Sequence, residues 1–405
     1  MTEREYRLWL AAESAVRPAA KKALLDRYGT AEEIFKAPAE GLKISGVSPS
    51  EAARLALHDT GRLDGIIKTC AAMGIEFIYP DDPAYPERLK HIYDPPAGLF
   101  VKGTMPDLDN RAAVAVIGTR RATPYGLRMG RTTAYQIAVC GGIVVSGLTA
   151  GVDSRAARGA LDAGGICIGV LGTAHDAESG SLAAETAERG AVISEIAPGT
   201  PNDRRFFRAR NRVAAGLSLG VLVIEAPEKS GTRLFVNDAL DQGKDISVLP
   251  GNADSPNSAG IFAMMRDGAR PVMSGMDVMA EYAPLFPDSV AIPSAVSVPP
   301  EKTEPAGRGA SSRRGGTAAA ARTADRPAGT STQADGGDRN SAARIPAGLP
   351  EDQRRIALAI AGGAAFVDEI TEAAGLPVAQ VLSRLTLMEI RRIVARDSGK
   401  RYYIC

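Results

Sequence analysis

Short apolar runs alternate with helical stretches through the middle of the chain. The runs are rich in valine and isoleucine and show no polar alternation; they are AVAVIG (113–118), GIVVSG (142–147), ICIGVLG (166–172), AVISE (191–195), GVLVIEA (220–226) and DISVLP (245–250). Strands of this kind are buried on both faces, because helices cover both sides of a parallel sheet. The pattern therefore predicts an α/β domain over 111–285, with an extended, Rossmann-like, doubly wound parallel sheet.

The first 65 residues follow a helical pattern instead. EYRLWLAAESAV and PAAKKALLDRYG have apolar residues at helical spacing, and LKISGVSPSEAARLAL adds a turn at Gly46 before another helix. Helix, short hairpin and helix outline a SAM-like or helix-hairpin-helix domain over 1–65. Such a hairpin either binds a phosphate through backbone N–H groups or serves packing alone. Residues 66–110, with two strands and proline-rich turns, are expected to be a connector.

The composition changes after residue 285. Residues 286–344 consist mainly of Gly, Ala, Ser, Thr, Pro and Arg, with almost nothing to bury, which predicts a disordered linker. In 345–405, three helical stretches, a turn at Gly375 and a final strand indicate a helix-turn-helix within a winged-helix domain.

Composition and charge exclude several classes of protein. The 405 residues carry Lys+Arg 48 against Asp+Glu 47, so the chain is not uniformly basic, although local patches are allowed.

The cysteines (Cys70, Cys140, Cys167 and Cys405) form no C-x-x-C pair. This fits a reduced cytoplasmic chain better than a disulfide scaffold or a metal site. Since no signal-type or membrane-spanning stretch occurs, we expect a cytoplasmic protein with no membrane partner.

Three segments near the strand ends carry residues suited to anions. Two are VIGTRRATPYG, with Gly118, Thr119 and Arg120, and VVSGLTAGVDSRAARG, with Ser146, Gly147, Gly151 and Asp153. The third, RRFFRARNRVAAGLS, places five arginines within nine positions: Arg204, Arg205, Arg208, Arg210 and Arg212. Ligands of parallel sheets bind beyond the carboxyl ends of the strands, where helix N-termini point outward. The recurrence favours an extended polyanion, such as a single nucleic-acid strand.

Each feature also has a plain structural explanation. Glycine-rich turns are common in doubly wound folds, Asp153 is suited to capping a helix, and the arginines could pair with Glu195 or Glu225. Phe206 and Phe207 could stack on bases or be buried. Neither G-x-G-x-x-G nor a P-loop motif is present, so no nucleotide cofactor is expected. His175 and Asp176 have no nucleophile motif nearby, so no catalytic residue is expected.

Several of these segments, taken in order, resemble the DprA/Smf family of bacterial DNA-processing proteins. They include YPDDPAYPERLKHIYDPPAGLFVKG, VAVIGTRRATPYG, VVSGLTAGVDSRAARGALDAGG, FFRARNRVAAGLSLGVLVIEAPEKSGT and ALDQGKDISVLPG. The resemblance implies a non-enzymatic homodimer that binds single-stranded DNA, protects it in natural transformation and loads the RecA recombinase. It also implies a phosphate-binding pocket formed by Gly118, Thr119, Arg120, Ser146, Gly147, Gly151, Asp153, Arg210, Asn211 and Arg212, with Arg120 and Arg212 in direct phosphate contact. The chain departs from the family in GTAHDAESGSLAAE, which lacks the usual Tyr-Pro and a nearby lysine.

Two other functions remain open from the sequence. A Rossmann-like nucleotide hydrolase of the lysine-decarboxylase-like type needs P-G-G-x-G-T-x-x-E, of which EAPEKSGTRLFVND contains only SGT. A winged-helix regulator that binds duplex DNA would use the basic residues near the C-terminus, which are Arg391, Arg392, Arg396, Lys400 and Arg401.

Overall fold

The computed structural model describes residues 1–178, 180–299, 345–346, 349–390, 393–396 and 401–404. The chain divides into two compact units, Met1–Pro305 and Ala306–Cys405. Most of the predicted linker, residues 300–344, lies outside the described residues.

The first unit contains helices on both sides of one sheet. Its helices are α1 (Glu3–Ala12), α2 (Pro18–Tyr28), α3 (Ala31–Lys36), α4 (Pro49–Leu55), α5 (Leu63–Met73), α6 (Glu87–Lys90), α7 (Pro124–Val139), α8 (Val152–Asp162), α9 (Ser181–Arg189), α10 (Arg204–Leu217), α11 (Gly231–Asp241), α12 (Ala259–Arg266) and α13 (Gly275–Tyr282). Its strands are β1 (Ile75–Ile78), β2 (Leu99–Gly103), β3 (Ala113–Ile117), β4 (Ile143–Ser146), β5 (Cys167–Leu171), β6 (Ala191–Ser194), β7 (Gly220–Val223), β8 (Asp245–Val248) and β9 (Arg270–Pro271).

The nine strands form one sheet in the order β1-β2-β6-β5-β4-β3-β7-β8-β9. From β6 to β9 all neighbours are parallel, with β3 between β4 and β7. Alternate residues of β3 enter different cores: Ala115 and Ile117 pack on one side of the sheet, and Val114 and Val116 on the other. The predicted doubly wound sheet, buried on both faces, is confirmed.

The segment expected to be a connector belongs to the sheet. β2 pairs antiparallel with β6, with Phe100 opposite Ser194, and β1 extends the sheet beyond β2. Phe77 of β1 and Phe100 of β2 pack with Trp9 of α1 in the core of the N-terminal helices. The predicted parallel sheet therefore has a two-stranded antiparallel edge, which joins it to the N-terminal helices.

The second unit has the elements of a winged helix. They are α14 (Glu351–Ala361), α15 (Val367–Ala374), α16 (Val378–Ile390), β10 (Val394–Arg396) and β11 (Tyr402–Ile404). Gly375 ends α15 in the left-handed conformation, with φ 60°, where glycine is favoured. β10 and β11 pair antiparallel. Arg391, Arg392, Lys400 and the side chain of Arg396 lie outside the described residues, while the Arg401 guanidinium lies 6.0 Å from the centroid of the Phe366 ring.

Within the described ranges, no helix is both long enough and apolar enough to cross a membrane. Over the same part of the chain, no three His, Cys, Asp or Glu side chains come together in a group that could hold a metal ion.

Candidate functional site: a cationic cleft

A cleft of about 540 Å³ opens at the carboxyl edge of the sheet. From β3 the chain proceeds outward through β4, β5 and β6, then returns to β7 on the other side of β3. Such a reversal is the place where doubly wound sheets bind ligands, because the loops on its two sides diverge. The cleft is lined by residues from the turn after β3, the loop after β4, the first half of α10 and the start of α11.

The turn after β3 is held by hydrogen bonds to neighbouring loops. The N–H of Thr119 donates to the carbonyl oxygen of Glu225, at 2.9 Å. Gly118 packs so closely that a Cβ there would lie 2.5 Å from Val152 Cγ2. Arg120 then projects into the cleft, and its guanidinium lies 5.4 Å from the centroid of the Phe207 ring. All three residues of this predicted site line the cleft.

The loop after β4 supplies both lining and support. Ser146 is buried outside the cleft lining, and its hydroxyl donates to the carbonyl oxygen of Asp153 at 2.8 Å. Gly151, at φ 95°, also supports the cleft from outside, since a Cβ there would lie 2.4 Å from the Thr119 carbonyl oxygen. Gly147 and Asp153 do line the cleft. Two of these four predicted residues therefore shape the loop rather than face the cleft.

Arg210 and Asp153 converge on Gly147. A Cβ at Gly147 would lie 2.2 Å from Arg210 Nη1 and 2.6 Å from Asp153 Oδ2. The Arg210 Nη1 donates to the Val170 carbonyl oxygen at 2.6 Å, while its buried Nε has no hydrogen-bond partner in the part of the chain that the structure describes. Burial raises the pKa of Asp153, against the opposing effect of Arg210, and burial lowers the pKa of Arg210. The Arg210 side chain is therefore fixed by its hydrogen bond to Val170 in the interior, and it also lines the cleft.

One stripe of α10 faces the cleft. Arg204, Phe207, Arg208 and Asn211 line it, at the i, i+3, i+4 and i+7 spacing of a single helix face. Phe207 is half-buried there, whereas Phe206 is buried on another side of the helix. Of the two phenylalanines suggested for stacking on bases, Phe207 lines the cleft and Phe206 does not.

Arg212 does not line the cleft. It is 7 % exposed; its Nη2 lies 2.7 Å from both carboxylate oxygens of Glu195, and its Nε lies 3.0 Å from Asp94 Oδ2. Although burial opposes the charge, these two carboxylates raise the pKa of Arg212. The expectation of a direct phosphate contact by Arg212 does not fit this geometry. The pairing with Glu195 that the sequence left open is the arrangement found.

The start of α11 is a part of the cleft that the sequence analysis missed. Lys229, Ser230, Gly231 and Thr232 line it. No side chain caps this 11-residue helix, and the buried Ser230 Oγ has no hydrogen-bond partner among the described residues. The free N–H groups and dipole of a helix N-terminus favour an anion. The signal in the sequence is SGT, which ends a segment resembling the DprA/Smf family and forms part of the hydrolase motif, but none of its residues is among the predicted site residues.

The described residues of the segment that departs from the family pattern are not among those that line the cleft, although its first residue, Gly172, lies against Phe207. His175 is buried, and its Nε2 lies 2.9 Å from the carbonyl oxygen of Phe100. Burial lowers the pKa of His175, so the neutral ring is favoured. This histidine fixes β2 to the loop after β5 and is not among the residues that line the cleft.

Comparison with known proteins gives consistent matches along the chain. The family described as DNA recombination-mediator protein A matches residues 76–283, and the DprA winged helix domain matches residues 340–400. Protein Smf of Synechocystis is 30% identical over 341 residues, covering 81% of this chain and 79% of that protein. The DNA processing protein DprA of Bacillus subtilis is 34% identical over 224 residues, covering 54% of this chain and 75% of that protein. The X-ray structure of DNA processing protein A from Streptococcus pneumoniae aligns with a TM-score of 0.60 and 28% identity, over 69% of this chain and 98% of that one.

The fold and the cleft define a Rossmann-like protein with a winged helix and a cationic site at the point where the strand order reverses. Within that class, the chain belongs to the DNA recombination-mediator protein A family, that of the DNA processing proteins DprA and Smf.

Proposed function

We propose that the cleft binds single-stranded DNA. The observation that carries this proposal is the charge of its lining. Asp153 is the one carboxylate among the described lining residues, and it is buried, whereas the cations are Arg120, Arg121, Arg204, Arg208, Arg210 and Lys229. Within a nearly neutral chain, the lining of this one cleft is therefore strongly cationic, and a phosphate backbone would bind there with strong salt dependence.

The aromatic ring in the cleft favours a single strand over a duplex. Phe207 is half-buried among Arg120, Arg204 and Arg208, which all line the same cleft. In a duplex the faces of the bases are already stacked on their neighbours, so a recessed ring meets them only when the strand is unpaired. Aromatic residues between phosphate-binding cations are typical of single-strand binding that tolerates any sequence.

The proposal extends to the role of the protein in recombination. We infer that it protects incoming single strands and loads RecA onto them, as a homodimer without catalytic activity. This part is supported by the family, whose description is that of a recombination mediator. It is tested by RecA's DNA-dependent ATP hydrolysis on strands precoated with single-strand-binding protein. The full chain should shorten the lag before hydrolysis, and an unchanged lag would contradict the loading role.

The binding proposal is tested by titrating labelled single-stranded and duplex oligonucleotides at two salt concentrations. Arg120→Ala should weaken single-strand binding and reduce the slope of log K against log salt by about 0.7, the value for one lost phosphate contact. The matched control is Arg27→Ala, which removes the same charge from an exposed position of α2 that does not line the cleft. Equal effects of the two variants would contradict the cleft as the binding site. A clear preference for the duplex would instead favour the winged helix as the main DNA-binding unit.

A further inference from the structure

Arg212 ties together three separate parts of the chain. It belongs to α10, while Asp94 comes from the segment before β2 and Glu195 from the residue after β6. Both carboxylates bind the guanidinium, at 2.7 Å for Glu195 and 3.0 Å for Asp94. We call Asp94, Glu195 and Arg212 the ion triad. Because a buried charge is costly unless it is paired, the three side chains must keep these relative positions.

Two further side chains hold the backbone of α10. Gln242 Nε2 donates to the Arg212 carbonyl oxygen at 3.0 Å, and Arg88 Nη1 donates to that of Leu217 at 3.1 Å. The ion triad and these two bonds hold the second half of the helix from outside the cleft. In the first half Arg210 donates to the Val170 carbonyl oxygen, while Arg204 and Arg208 are exposed.

The ion triad, together with the buried Arg210, therefore helps to set how α10 is rotated about its axis. Arg212 directly follows Asn211, the last residue of the stripe that faces the cleft. Consecutive helix residues are about 100° apart around the axis, so fixing Arg212 on one side fixes the direction in which the stripe points. A rotation would move the long side chain of Arg208 further than the backbone that carries it.

We propose that Arg212 is a positioning residue, which acts through Asp94 and Glu195 to present Phe207, Arg208 and Asn211 to the bound strand. This inference rests on the proposed function of the cleft. The positioning role and a direct phosphate contact by Arg212 differ in the effect expected on DNA binding when the Glu195 carboxylate is removed. Removing the carboxylate of Glu195 makes the protein more positive, so electrostatics alone would strengthen binding to a polyanion. If the stripe of α10 lost its position, binding to the polyanion would instead become weaker.

The experiment compares Glu195→Gln with the full wild-type chain, using a fluorescein-labelled oligothymidylate and fluorescence anisotropy. We expect Glu195→Gln to raise the dissociation constant about five- to tenfold, the size of a typical coupling between linked sites. The control is Glu185→Gln, which removes the same charge from a surface pair with Arg158. Circular dichroism and the Tm establish that each variant is folded, and Asp94→Asn replaces Glu195→Gln if the latter does not fold.

A second readout needs no DNA. Trp9, the one tryptophan of the chain, is 1% exposed, so Phe207→Trp adds a reporter in the cleft whose emission differs from that of a buried ring. We expect Glu195→Gln to shift the emission of this reporter, because the stripe moves. Unchanged emission together with equal or tighter binding would overturn the proposal. If the wild-type chain bound no single strand while the emission still shifted, the proposed function would fail and the positioning role of Arg212 would stand.

Discussion

The guanidinium of Arg120 lies over the ring of Phe207, 5.4 Å from its centroid. Arg120 comes from the turn after β3 and Phe207 from the first half of α10, so the contact spans the cleft. A cation over an aromatic face is attracted by the ring electrons, and the edge of the guanidinium remains available to a phosphate. The contact places a cation suited to a phosphate and an aromatic ring next to each other in the cleft.

Phe207→Leu is therefore expected to weaken single-strand binding by about 1–3 kcal/mol, as measured for other stacking residues. The salt dependence should stay the same, because no cation is removed. Phe207→Tyr keeps the ring and should keep most of the affinity. Anisotropy titrations at several salt concentrations measure both quantities, and wild-type affinity in Phe207→Leu would show that the ring does not contact the bases.

Gly147→Ala is expected to distort the part of the cleft formed by the loop after β4. The added methyl group would lie 2.2 Å from Arg210 Nη1, so the guanidinium or the loop must move. Such overpacking costs about 1–3 kcal/mol of stability, and the displaced Arg210 should also reduce affinity for single strands. Urea unfolding and oligonucleotide binding measure the two effects.

The control for this substitution is Gly65→Ala in α5, where no atom lies within 4 Å of the added carbon. Alanine favours a helix over glycine by up to about 1 kcal/mol, so this variant should be slightly more stable than wild type. Equal stability of Gly147→Ala and wild type would mean that the loop after β4 adapts without strain.

Lys21 should make stability depend on pH in an alkaline window. It is buried, its Nζ donates to the Ala11 carbonyl oxygen at 2.8 Å, and burial lowers its pKa to about 8. The unfolded chain keeps the ordinary value of about 10.4, so between these values it binds a proton that the native state does not. The free energy of unfolding should therefore rise with pH across this window.

Lys21→Met removes this titration, so its free energy of unfolding should rise less than that of the wild type between about pH 8 and about pH 10. Urea unfolding of both proteins over this range provides the test. Other groups, such as Tyr85, contribute to both proteins alike, so the difference between the two curves of unfolding free energy against pH reports Lys21. Curves that run parallel would show that Lys21 keeps an ordinary pKa.

The described cysteines should resist alkylation in the native state. Cys70, Cys140 and Cys167 are free and buried, and burial raises the pKa of each thiol, that of Cys167 to about 12. Since the thiolate is the reactive form, iodoacetamide near neutral pH should leave them unmodified until denaturant is added. Mass spectrometry of a Cys405→Ser variant counts the modified sites, and rapid modification without denaturant would contradict their burial.

Strand positions could be predicted from the sequence because they depend on local patterns. Every residue of β3 and β5 is buried, as their unbroken apolar runs indicate. The sequence predicts β1 and β2 only as parts of a connector, because prolines lie near them and the pairing of β2 with β6 joins distant parts of the chain. Local pattern alone does not show which strand a short segment will pair with.

The arginine cluster shows the same limit within the site. The sequence identified its charge, but the helix distributes its members: Arg208 enters the cleft, Arg205 pairs with Asp203, and Arg212 joins the ion triad. The partners of Arg212 lie far away in sequence, so its role could not be read from the RNR motif. Helical spacing places Arg208 and Arg212, four residues apart, on the same face of the helix, so it would not have shown that only Arg208 lines the cleft.

The pairing of β2 with β6 determines where the chain can be shortened. A protein beginning at residue 111 would keep the cleft residues but lose both antiparallel strands. The edge of β6 would then present unpaired N–H and carbonyl groups beside the apolar side chains of Ala191 and Ile193, which now pack in one core with Leu99 and Val101 of β2. Exposed edges of this kind pair with other chains, so such a fragment should aggregate even though every residue of the cleft is present.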